Sequence, residues 1–144
     1  MTRGLIVFAL CTILVLSCKP KTNIQKLEPT QLVPTQSIEL SEQALDLGIS
    51  DTLDFGKMRQ GEIITKSIKI TNLDSKPMVL LRHVTSCGCV KVLYDRKPIA
   101  TNESSAIEFQ LDSKSLSGWQ MKLMEFYFAD KATPMKIYLE AEVE

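Results

Sequence analysis

The chain has 144 residues, with 17 basic side chains against 17 acidic ones. A balanced charge with no basic block lacks the electrostatic footprint of a nucleic-acid binder, so no nucleic-acid partner is expected. A single histidine leaves little scope for a histidine-based triad, and no G-x-S-x-G elbow, H-E-x-x-H pair or phosphate-binding glycine loop occurs. The chain is therefore expected to be non-catalytic and to carry no cofactor.

The first element in chain order is an export signal. Arg3 makes the start positive, and Gly4 to Leu16 is an almost purely apolar run. Such a run is shorter than the roughly 18 to 20 residues of a membrane span and suits a secretory signal. It closes on Val15-Leu16-Ser17-Cys18: aliphatic, apolar, small, cysteine. This stretch resembles the lipobox of bacterial lipoproteins. The resemblance implies that residues 1–17 are a signal peptide, that a diacylglyceryl group is joined to the Cys18 sulfur, and that the new amino group is acylated, with palmitate as a candidate chain. Each buried CH₂ contributes about 0.8 kcal/mol, so two or more acyl chains hold firmly where one is marginal. The expected partner at this end is a membrane, through the lipid anchor at Cys18. Lys19, in place of an aspartate, resembles an outer-membrane address in Gram-negative sorting. The expected location is the bacterial cell envelope, outer membrane ahead of inner, in the periplasmic compartment.

Residues 18–36 hold the lipidated cysteine and a linker. Pro20, Pro29 and Pro34 stand among threonine, glutamine and lysine, a composition that buries too little apolar surface to order itself. Eighteen such residues reach roughly 60 Å when extended, at about 3.3 Å each.

Residues 37–144 change character, to short β-prone apolar segments. The expected strands are Ser37–Leu40, Thr52–Phe55, Ile63–Thr71, Met78–Thr85, Cys89–Tyr94, Ser105–Leu111, Met121–Ala129 and Met135–Val143. Turn-forming stretches separate several of them, including Gly56–Gly61 and Asn72–Pro77. Ser41 to Leu47 suits a helical turn. Met135, Ile137, Leu139, Ala141 and Val143 alternate with Lys136, Tyr138, Glu140 and Glu142, the period of a strand with one buried face. Leu45-Asp46-Leu47-Gly48 and Leu53-Asp54-Phe55-Gly56 echo each other, one expected as a strand end and the other as a loop. Trp119 is expected to pack in the core or at an edge. The pattern predicts an all-β, immunoglobulin-like antiparallel β-sandwich of seven to eight strands.

Leu53-Asp54-Phe55-Gly56, Gln60-Gly61-Glu62, Ile70-Thr71-Asn72, Lys76-Pro77, Thr85-Ser86-Cys87-Gly88-Cys89, Lys97-Pro98-Ile99 and the strand closing at Val143 follow a known pattern. The set resembles the bacterial envelope family called domain of unknown function 1573, over roughly Thr52 to Glu144. Ser-Cys-Gly-Cys is its most specific part. Val90 stands where the family often has threonine, and Ala100–Ser104 lacks its usual Pro-Gly-Glu turn. The resemblance implies an immunoglobulin-like envelope domain and no particular activity.

If Cys11 leaves with the signal and Cys18 carries lipid, Cys87 and Cys89 are the remaining thiols. On a straight strand their Cα atoms would be about 6.6 Å apart, two rises of about 3.3 Å. A disulfide accepts about 4.4 to 6.8 Å, so the pair is bridgeable. Three readings stand: small residues packed at a strand end, a thiol-redox pair, or a soft-metal site for Cu(I). His83 shares the strand parity but would lie about 13 Å from Cys87 on a straight strand, too far to join a metal unless the chain turns. No metal site is assigned. The preferred expectation is a non-catalytic binding or scaffold module with a protein or envelope partner; the alternative is a thiol-redox or Cu(I)-handling protein acting through Cys87 and Cys89.

Overall fold

A computed structural model describes residues 35–144; the expected signal peptide, the expected lipidation site Cys18 and nearly all of the expected linker lie outside the described residues. The described residues form β1 (Gln36–Leu40), α1 (Glu42–Leu47), β2 (Ser50–Met58), β3 (Ile63–Asn72), β4 (Leu80–Thr85), β5 (Val90–Tyr94), β6 (Ser104–Asp112), β7 (Gly118–Phe128) and β8 (Met135–Val143). The strands make two four-stranded sheets, ordered β1-β3-β6-β5 and β2-β8-β7-β4, and the fold is an all-β sandwich. The apolar face of each strand explains the layering. On β8, Met135, Ile137, Leu139, Ala141 and Val143 are all buried, and on β7 so are Met124, Phe126 and Phe128. These face Ile68, Ile70, Ile107, Phe109 and Leu111 from the other sheet. Phe109 and Phe126 meet edge to face across the seam, centroids 5.8 Å apart, an arrangement that contributes about 0.5–1.5 kcal/mol beyond the area it buries.

The sheets are mixed, where an antiparallel sandwich was expected. β1 pairs parallel to β3, and β2 pairs parallel to β8; the other pairings are antiparallel. The chain leaves the first sheet after β1, runs through the second as β2 and returns as β3. Two reversals bring β3 back alongside β1 in the same direction. Pairing also begins earlier than the expected boundary, because the Thr35 amide donates to the Ser67 carbonyl at 2.8 Å and Gln36 opens β1.

β2 runs through the expected break at Gly56. Asp54 opposes Glu140 and Lys57 opposes Glu142, so one extra residue is inserted as a bulge. Gly56 makes this possible: its φ is +72°, and its amide donates to the Asp54 carboxylate at 2.7 Å. The inserted residue returns Met58 to the buried face after Leu53 and Phe55. The similar run ending at Gly48 is instead the close of α1. Ser41 accepts the Ala44 amide at its start, and Gly48, at φ +86°, caps its end. Asn72 is fully buried yet satisfied. Its amide nitrogen donates to the carbonyls of Lys76 and Ile99, and its oxygen accepts the Asp74 amide, which pins two loops at once.

Candidate functional site

Cys87 and Cys89 stand in the connection between β4 and β5, where the chain passes from one sheet to the other. They are not on a strand: residues Gly88 and Cys89 form a turn. The turn shortens the Cα separation to 5.3 Å from the straight-strand value, and the two sulfurs are joined as a disulfide. Each end of the turn is held. The Ser86 amide donates to the Leu123 carbonyl on β7, and the Asp112 amide on β6 donates to the Cys89 carbonyl at 2.9 Å. The Cys89 amide points at the Cys87 sulfur, 2.9 Å away. Both cysteines are half-buried, and they border a shallow depression of about 310 Å³ shared with Asp112, Lys114 and Leu116. Cys89 packs on the core edge while the rest of the turn faces solvent.

His83 does not join them. It projects toward the seam between the sheets, where its ring lies 5.5 Å from Tyr94 and 6.1 Å from Phe126. Its Nδ1 is 3.4 Å from the Tyr94 hydroxyl. Desolvation, and then the charge of Arg96, push its pKa below the ordinary value. Met78 is buried beside Ile99, with which it forms a two-residue bridge. A three-ligand soft-metal site from Cys87, Cys89 and His83 is thus not assembled.

The feature that the sequence reading missed is on β7. Trp119, expected in the core or packed at an edge, is 64% exposed. The parity of the strand explains this. Even-numbered Met124, Phe126 and Phe128 face the core, so Trp119, Met121, Leu123, Glu125 and Tyr127 line the outer face. Opposite them on β8 stand Glu142, Glu140 and Tyr138. Val84 of β4, opposite Glu125, extends the apolar surface. At the other end of this row Arg82 covers the Tyr127 ring at 3.7 Å, so the aromatic left uncovered is Trp119. Beside it the β2 bulge opens a depression of about 250 Å³, lined by Asp54, Gly56, Lys57, Glu140 and Glu142.

Trp119 also lies where β7 has lost a neighbour. β8 pairs with β7 from Gly118 to Phe126, but β4 reaches only from Phe128 to Met124. Ser86 closes the β4 side, its hydroxyl accepting the Leu123 amide at 3.0 Å. Beyond Leu123, no strand among the described residues pairs on that side. The signal for this was present in the alternation of β7, which fixes the parity of Trp119 once Phe126 and Phe128 are assigned to the core.

Two mixed four-stranded sheets on a shared core, with a disulfide turn where the chain changes sheet, make this an all-β sandwich domain. Residues 48–143 match the family described as Protein of unknown function (DUF1573), and the chain belongs to that family. No curated protein matches the sequence. Among solved structures, a protein of unknown function from Porphyromonas gingivalis W83 is similar at TM-score 0.58 and 21% identity, over 78% of this chain and 50% of its own. The Vibrio cholerae VesB protease is similar at TM-score 0.51 and 19% identity, over 65% of this chain and 30% of its own. A family 123 glycoside hydrolase from Clostridium perfringens is similar at TM-score 0.53 and 10% identity, over 65% of this chain and 23% of its own. This chain spans half or less of each of these proteins, and at such identities the likeness is one of fold alone.

Proposed function

We propose that this protein is a non-catalytic binding module, held at a bacterial envelope membrane by lipid on Cys18 and carried on the linker that follows. The observation that carries the binding role is the outer face of β7, where Trp119 is 64% and Met121 44% exposed two residues apart on one strand. Large apolar side chains grouped on one solvent face mark interaction surfaces. The membrane attachment rests on the run from Arg3 to Cys18. Metabolic labelling with palmitate tests it: the wild type takes up label and partitions into detergent, whereas Cys18→Ala stays unlabelled and uncut after Ser17. A labelled Cys18→Ala protein refutes the anchor.

A second reading is favoured by the half-buried bridge at an open depression. In it, an incoming thiolate attacks one sulfur, the Cys87–Cys89 bond breaks, a mixed disulfide forms and the other cysteine leaves as a thiolate. Lys114, which borders the depression, would steady that negative charge. Replacing both cysteines by alanine separates the readings. In a binding module the double variant loses about 1–3 kcal/mol of stability and keeps its function at matched protein levels. In a redox protein it is folded and inert.

A further inference from the structure

We propose that the open edge of β7 at Trp119 and Met121 takes up an extended, basic segment of a partner protein as an added strand. The inference rests on the binding-module reading and names the chemistry of the partner. Leu123 directs both its amide and its carbonyl toward β4, where Ser86 answers them. Backbone groups alternate sides along a strand, so Met121 and Trp119 direct theirs to the same side, where no described strand follows. Strand addition uses such groups for affinity and alternate side chains for specificity.

Sheet edges are ordinarily blunted by shortness, bulges or charge. The other edges of this sandwich follow that rule. β1 and β5 have five residues each, β2 is bulged at Gly56, and β4 is irregular between Leu80 and Arg82. The open stretch of β7, Gly118–Lys122, is as short as those strands but carries no bulge, and it sets Trp119 and Met121 in solvent. Its charge selects the occupant. Asp54, Glu140 and Glu142 stand around Trp119 with Lys57 as the one cation lining the depression, and Lys57 is already paired with Glu142 at 3.9 Å and with Glu144. An added strand would lie about 9.6 Å from β8, two strand spacings of about 4.8 Å. A lysine or arginine from it extends over the Trp119 ring, where a cation is attracted, and the Glu140 and Glu142 side chains of β8 reach from the other side to meet it.

Trp119 is the sole tryptophan, so its emission reports occupancy directly. The probe is a blocked peptide, Thr-Lys-Val-Lys-Val-Lys-Thr, titrated into the full chain in detergent; the control carries glutamate for each lysine. The expected result is a saturable emission shift with the lysine peptide, bound at least about tenfold tighter than the control. Glu140→Lys combined with Glu142→Lys weakens binding by about tenfold with an unchanged unfolding midpoint. Met121→Pro removes one edge amide and abolishes binding. Because that variant can disturb the strand, the charge reversal is the deciding one. Equal binding of both peptides, binding of neither, or an affinity indifferent to the charge reversal overturns the proposal. A dimer of the free protein that Met121→Pro dissolves assigns the edge to a second copy and also overturns it. Failure of the peptide with palmitate still on Cys18 removes this partner class and leaves the tethered module standing; loss of label with the peptide still bound does the opposite.

Discussion

His83 lies in the seam between the sheets, against Phe126 of the neighbouring strand and Tyr94 of the opposite sheet. Burial, and then the nearby Arg96 charge, disfavour its protonated form. The folded protein therefore holds it neutral at a pH where the unfolded chain begins to take up a proton. The stability due to this group is fully present above the unfolded value of 6.5 and declines as pH falls below it, until the folded value is passed. The urea midpoint is expected to drop more on acidification from about pH 7.5 to about pH 5 in the wild type than in His83→Gln. Parallel drops in the two proteins would exclude His83 as the source. The sequence placed His83 on the parity of the cysteines but could not supply its partner, since Tyr94 reaches it from a strand of the other sheet. The same holds for Asn72, whose partners Lys76 and Ile99 meet only after two loops close.

At the scale of the element, alternation is what made strands legible. Met135–Val143 was expected and is found residue for residue, with Leu139 1% exposed. Leu139→Asp places an unpaired charge between the sheets and is expected to cost about 3–5 kcal/mol. Tyr138→Asp, on the outer face, is expected to cost under about 1 kcal/mol. Equal losses in chemical denaturation would contradict the register of β8. Legibility failed where backbone geometry broke the period. Gly56 reads as a turn residue, and its left-handed conformation does bend the chain, but inside a bulge that lets β2 continue to Met58. Cys87 and Cys89 read as strand residues two apart, and the turn at Gly88 draws them to 5.3 Å. Trp119 was misplaced for a different reason. Its size suggests burial, whereas its odd position on β7 puts it on the wet face, and parity overrides hydrophobicity when the two conflict.

At the scale of the molecule, the fold class was legible from eight short apolar segments and their turns, while the two parallel pairings were not. Parallel partners are separated by whole intervening strands: β1 from β3 by β2, and β2 from β8 by β3 to β7. No local pattern records which distant strand will lie alongside. The same topology places β8 inside its sheet, with β2 on one side and β7 on the other. That position has a consequence for the order of synthesis. The strand that joins β2 to β7 is made after both of them, so a chain stalled before Met135 carries β2 without a sheet partner and β7 paired with β4 alone, with much of its apolar surface unburied. The second sheet closes only once residues near Val143 have emerged. Until then β2 has no strand beside it, and that flank of the core stands open to water.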